Sequence, residues 1–319
     1  MMDWTDRHCR YFHRLMSARA LLYTEMVTTG ALLHGDAPRF LAFQGQEHPV
    51  ALQLGGSDPK ALATAARMAQ AAGYDEVNLN CGCPSDRVQK GAFGASLMAE
   101  PELVRDCVKA MLDAVDIPVT VKCRIGIDDM DEDTSLFHFV EVVAQSGAIG
   151  FCVHARKAWL KGLSPKENRD IPPLNYERVH GLKARRPELT ISLNGGLLSV
   201  DHAHENLGNL DGVMLGRAAY QQPFDVLRSV DQAFYGQANR WTGALEDRLA
   251  IAEAMAVYVD WQAQLGVPPK SITRHMMGLF NGLSGAKQWR RRLSENAATA
   301  TDGDLIRHAM LPTPSAFAA

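Results

Sequence analysis

Asp75-Glu76-Val77-Asn78-Leu79-Asn80-Cys81-Gly82-Cys83-Pro84 decides how the rest of the chain is read. The alternating run Val77-Asn78-Leu79-Asn80 has the period of a short buried strand. Cys81-Gly82-Cys83-Pro84 then bends the chain into a loop that lifts polar side chains off the strand end. A thiol there can do chemistry. The loop continues through Arg87, Lys90, Gly91, Phe93 and Gly94, the basic, glycine-rich composition of a mobile cover over an anionic ligand.

Outward from this stretch one pattern recurs: an apolar, β-branched run of about five residues, a loop, then a helical segment. The runs lie at 21–26, 50–54, 76–80, 118–124, 150–155, 190–194 and 212–216. Amphipathic segments at 58–72, 101–115, 134–145 and 175–186 separate them, several opening with the proline or acidic residues that favour helix starts. A short helix is also expected around 8–17. Strand–helix alternation at this spacing means parallel strands with crossover helices, here a (β/α)8 TIM barrel. Seven strands are visible, and Met1-Met2-Asp3-Trp4-Thr5-Asp6 reads as the tail of a truncated first strand. Buried parallel strands should be apolar throughout, yet these end in Gln53, Asn80, Lys122 with Arg124, His154, Asn194 and Arg217. The C-terminal strand ends of a barrel share one mouth, where barrel enzymes build their sites.

At 319 residues the chain suits one large domain and a small one. Past Tyr235-Gly236 the alternation stops, and 241–265, 270–283 and 288–301 read as helices, so a barrel at 1–236 precedes a helical bundle at 237–319. The N-terminus carries Asp3, Asp6 and Arg7 instead of a signal-peptide core, and the apolar runs are too short to span a membrane, which places the protein in the cytoplasm. The six cysteines are expected to be reduced, and Cys81-Gly82-Cys83 lacks the second ligand pair of a metal site. With a net charge of −3, any nucleic-acid surface must be a local patch. Lys287-Gln288-Trp289-Arg290-Arg291-Arg292 is such a patch, its Trp either a stacking platform or a core residue.

Asn194-Gly195-Gly196 and Gly216-Arg217 put glycines and a fixed cation in the late-barrel loops that usually take a phosphate. Flavin mononucleotide (FMN) fits. Lys122 can stabilise negative charge on its reduced ring, Gln53 can bond the ring's polar edge, and His154 can serve ring or phosphate, or simply be a hydrogen-bonded strand-end histidine. Cys83 faces this ring in the barrel plan and can supply a proton to whatever receives the hydride, a reduction of a polarised C=C bond.

At these residues the chain resembles the tRNA-dihydrouridine synthases, most closely their A subfamily. The carriers, spread over 2–298, include Met2-Asp3-Trp4-Thr5-Asp6-Arg7, Gln53-Leu54-Gly55-Gly56, Asn78-Leu79-Asn80-Cys81-Gly82-Cys83-Pro84 and His154-Ala155-Arg156-Lys157-Ala158-Trp159-Leu160. Gly162-Leu163-Ser164-Pro165-Lys166-Glu167-Asn168-Arg169, Asn194-Gly195-Gly196, Gly216-Arg217 and Trp289-Arg290-Arg291 complete them.

The resemblance implies an FMN barrel and a helical bundle that together hold a tRNA and reduce flipped-out D-loop uridines at positions 20 and 20a, with NADPH as electron source. It implies that Cys83 gives the proton to uracil C5, as a protonated thiol, while flavin N5 delivers hydride to C6; Cys81 is structural. Asn80 holds the base. Gln53, Lys122, His154, Asn194, Gly195, Gly196, Gly216 and Arg217 contact the flavin, and Lys157, Lys166, Lys287 and Arg290 contact tRNA. The base must leave its stack to lie against the flavin, at a cost of a few kcal/mol.

Family members carry a full first strand ending Ala-Pro-Met, whose backbone forms part of the flavin floor; here only Met1 and Met2 correspond, so the native start is expected upstream. A monomer is expected. The rival readings are an FMN-dependent reductase of a free pyrimidine or a dihydroorotate-type substrate, which would not need the basic bundle, and a non-catalytic RNA-binding module.

Overall fold

A computed structural model describes residues 1–85, 91 and 93–310. Seven parallel strands form one sheet in sequence order: β1 (Leu22–Thr28), β2 (Val50–Gly55), β3 (Glu76–Asn80), β4 (Val119–Arg124), β5 (Gly150–His154), β6 (Thr190–Asn194) and β7 (Gly212–Met214). Each strand pairs in parallel with the next, the order of a TIM barrel. β2 and β5 are buried along their whole length, as a two-sided parallel strand requires.

The expected helices appear at Pro59–Ala72, Pro101–Leu112, Ser135–Ala144 and Tyr176–Arg185. Local chemistry sets their starts: Asp58 accepts the Ala61 N–H and Asn175 the Arg178 N–H, satisfying amides that lack an intrahelical partner. Gly73, at φ +95°, ends the first of them in the left-handed conformation. Val104, Val108, Phe139 and Val143 on these helices, with Leu79, Val121 and Val153 on the strands, are fully or almost fully buried.

Backbone contacts group residues 1–2 and 21–215 as one unit, and 3–20 with 216–319 as another. The second of these is the helical unit. Its early segment is bound in by Asp6, which accepts the His8 and Cys9 N–H groups at the head of helix Arg7–Met16 and also pairs with Arg274 and His275. Trp4 stacks on Tyr220 and Tyr11 on Tyr258, at 4.3 and 3.9 Å between ring centroids.

The unit's C-terminal helices include Leu245–Gln264, Ala286–Asn296 and Asp304–Met310. The continuous helix expected over 270–283 breaks into Pro269–Thr273 and a 3-10 turn at Arg274–Met276. At Gly278 the chain passes so close to the Gln221 carbonyl oxygen that an added Cβ would stand 2.2 Å from it, so only glycine fits there. No helix among the described residues is long and apolar enough to cross a membrane.

Burial holds two histidines of helix Arg7–Met16 neutral. His8, 2.8 Å from the Tyr258 hydroxyl, falls from an ordinary value of 6.5 to about 4, and His13 falls to about 3. A depressed histidine contributes stability that is complete above the unfolded-state value and drains away as pH falls towards the folded one. Unfolding free energy measured by denaturant titration should thus drop between pH 7 and pH 4.5, at about 1.4 kcal/mol per pH unit for each histidine below pH 6.5. His13→Gln should make the slope visibly shallower; a wild-type stability that is flat over this range would contradict the assignment.

Candidate active site

Parallel pairing brings the polar strand ends side by side. Gln53 stands opposite Asn78, Asn80 opposite Lys122, and His154 opposite both Arg124 and Asn194. Gln53 donates through Nε2 to Asn78 Oδ1 at 2.9 Å and accepts from Asn80 Nδ2 at 2.8 Å. Asn80 in turn accepts the backbone N–H groups of Gly82 and Cys83, both at 3.0 Å. Its side chain is therefore the cap of the cysteine turn. Cys83 is half-buried, its Sγ 3.6 Å from Ser85 Oγ and its carbonyl accepting the Ala95 N–H at 2.9 Å. Cys81 is fully buried, and burial pushes its thiol well above the ordinary range, so the two cysteines have different surroundings. Arg87 and Lys90 lie outside the described residues.

Arg124 had no assigned role beyond its place at a strand end, yet two loops converge on it, the one after β3 and the one after β5. Its Nε donates to Gly82 O at 2.9 Å and its Nη1 to Lys157 O and Asn168 O at 3.0 Å. The side chain is 2% exposed, and burial draws the guanidinium down to about 10. Adjacency in sequence to Lys122 gives no hint of these partners, which are all backbone carbonyls.

Lys122 donates to Asn194 Oδ1 at 3.0 Å, and Asn194 Nδ2 donates to Met214 O at 2.7 Å. Burial lowers the ammonium pKa, which leaves a poorly solvated cation that an anionic group would stabilise. Gly195 and Gly196, at φ +109° and +69°, follow directly. A Cβ on Gly195 would meet the His154 ring at 2.4 Å, and one on Gly196 would meet Leu174 at 2.4 Å, so only glycine lets the backbone pass here. Tyr176 Oη donates to the Gly195 carbonyl at 2.6 Å and steadies the turn. A glycine cradle beside a half-buried ammonium and a buried histidine fits a planar, phosphate-bearing cofactor such as FMN.

The remaining expected residues are divided between the two units. Met1 and Met2 group with the sheet unit, Met2 being exposed. β7 stops at Met214, so Arg217 is not a strand-end residue; Gly216 and Arg217 open the short helix Arg217–Gln221 of the helical unit. The Lys157 ammonium donates to Met130 O at 2.6 Å and lies 5.9 Å from the centroid of the Trp159 ring, while Lys166 is exposed. Lys287 and Arg290 are exposed, and Arg290 borders a groove of about 420 Å³ with Tyr220, Arg274, His275 and Asn281. Trp289 is no stacking platform: it is fully buried, packs edge-on against Phe280 and donates to Met276 O at 3.0 Å. The buried face of Ala286–Asn296 consists of Ala286, Trp289 and Leu293, which leaves Lys287, Arg290 and Arg291 on the exposed side.

Comparison with known proteins gives a consistent result. The family model described as dihydrouridine synthase (Dus) matches residues 1–312. The tRNA-dihydrouridine(20/20a) synthase of Vibrio vulnificus is 56% identical over 316 residues, covering 98% of this chain and 95% of that protein. The protein of the same name from Shewanella oneidensis is 60% identical over 297 residues, covering 93% and 87%. Among solved structures, a 2-naphthoyl-CoA reductase in complex with 2-naphthoyl-CoA matches with a TM-score of 0.51 at 14% identity, over 73% of this chain and 47% of that one, a likeness of fold.

Replacing Arg124 by Met would strip charged donors from three carbonyls. The expected loss is at least about 3 kcal/mol of unfolding free energy by urea titration. A loss below about 1 kcal/mol would show that the two loops do not depend on the guanidinium.

Proposed function

The chain belongs to the dihydrouridine synthase family, and on that premise we propose that it reduces the C5=C6 bond of uridines 20 and 20a in the D-loop of tRNA. It is a flavin-family oxidoreductase that modifies tRNA. FMN is the flavin and NADPH the reductant in this reading. The observation that carries it is near-full-length identity above one half to proteins of that name, in a chain whose cysteine turn stands at the mouth of a parallel sheet.

Bound flavin supplies the hydride for uracil C6. Cys83 holds the proton that goes to C5, and the cap from Asn80 fixes the turn that carries it. Because Oδ1 of Asn80 is committed to two backbone N–H groups, Asn80 meets the base with its N–H, against a carbonyl oxygen of uracil. Gln53, Lys122, His154 and Asn194 hold the flavin ring and phosphate together with Gly195, Gly196, Gly216, Arg217 and the backbone of Met1 and Met2. Lys157, Lys166, Lys287 and Arg290 take tRNA phosphates, contacts that bind without reading sequence. Catalysis is assigned to 1–236 and tRNA holding to 237–319, in a monomer working in the cytoplasm.

The test is Cys83→Ala in a purified system with unmodified tRNA and NADPH. Dihydrouridine formation should fall by about 10²- to 10⁴-fold, the usual worth of a positioned general acid, with tRNA affinity unchanged. An undiminished rate would remove Cys83 from the chemistry. Free uridine reduced as fast as tRNA would favour the reductase of free pyrimidines.

A further inference from the structure

β3 places Glu76, Asn78 and Asn80 on one face, since every second residue of a strand points the same way. Cross-strand pairing sets Gln53 on one side of Asn78 and Thr120 on the other. The five side chains join in a single hydrogen-bonded chain. Thr120 Oγ1 donates to Glu76 Oε1 at 2.5 Å, and Tyr23 Oη donates to the same oxygen at 2.7 Å. Asn78 Nδ2 donates to Thr120 Oγ1 at 2.8 Å, after which the chain runs through Gln53 and Asn80 to the Gly82 and Cys83 amides.

The chain has one possible direction, and both ends impose it. A carboxylate only accepts, so the Thr120 hydroxyl must donate to Glu76 and its oxygen must receive the Asn78 N–H. At the far end backbone N–H groups only donate, so Asn80 must turn its oxygen to the Cys83 turn and its amide nitrogen to Gln53. Gln53 then has its nitrogen towards Asn78, whose oxygen receives it. Asn78 is the link where the two demands meet, and it is completely buried, with its oxygen and its nitrogen each committed to a partner. Asn80 is left with one free N–H and no free oxygen lone pair. A group held against it must accept a hydrogen bond, as a uracil carbonyl does and the amino group of cytosine does not.

We propose that Glu76, Thr120 and Asn78 are positioning residues of the reaction, which through this one-way chain hold the Asn80 amide in a single orientation and lock the Cys83 turn. None of them touches the base; they act through Gln53 and Asn80. The inference rests on the reading of Cys83 as proton donor, and its test separates the two.

Thr120→Val removes the hydroxyl at constant volume, Asn78→Leu removes the central amide, and Thr120→Ser restores the hydroxyl. Two assays are run on each folded, flavin-loaded protein: kcat and KM for dihydrouridine formation on tRNA, and the rate at which iodoacetamide alkylates Cys83, read by peptide mass spectrometry. Thr120→Val and Asn78→Leu should lower kcat at least 10-fold with KM within threefold, and speed alkylation at least threefold as the turn loosens. Thr120→Ser should return both to within twofold of wild type. If Asn78→Leu fails to fold, Thr120→Val decides alone. Alkylation unchanged in the folded variants overturns the proposal whatever the tRNA assay gives, as does a change confined to KM. A wild-type protein that makes no dihydrouridine would instead overturn the function, while the alkylation rates still decide whether this chain locks the turn.

Discussion

A buried amide must have its hydrogen bonds completed, because leaving one open costs about 1–3 kcal/mol. Three polar side chains on the inner face of β3 bring that demand into the middle of the sheet. Gln53 and Thr120 meet it from the neighbouring strands, and the ladder that sets them opposite Asn78 is the same ladder that aligns the strand ends. The cost of an unpaired group thus ties the register of β2, β3 and β4 to the conformation of the turn at Cys83. Arg124 does the equivalent outside the strands, holding three loop carbonyls with one charge.

Much of this was readable in advance for physical reasons. The strand at 76–80 and that at 190–194 fall where the apolar period puts them, and the barrel helices begin at Asp58 and Asn175 because those side chains cap them. Parallel alternation also sufficed for the strand order. The alternation of Glu76, Asn78 and Asn80 with Val77 and Leu79 was visible too, but period alone does not say that the polar face is the inner one.

The rest depended on contacts that sequence spacing does not encode. Arg217 looked like a strand end because the apolar run continues to Gly216, yet β7 stops at Met214. Trp289 sits among cations in sequence, and only the packing of Phe280 against it shows the ring to be core. The segment 270–283 has helical composition, yet its α-helix ends at Thr273 and passes into a 3-10 turn that ends at Met276. The grouping of residues 3–20 with the C-terminal helices rests on Asp6, whose partners lie more than 260 positions away.

The site and the family converge on one chemistry. Lys122 and the two glycines suit a phosphorylated flavin, Asn80 caps the turn that carries Cys83, and exposed cations of the helical unit suit a phosphate backbone. The most direct measurement is position-resolved mapping of dihydrouridine in tRNA from a strain lacking this gene. Uridines 20 and 20a should lose the modification and regain it when the wild-type gene returns, but not when it carries Cys83→Ala. Unchanged dihydrouridine at both positions in the deletion strain would contradict the assignment.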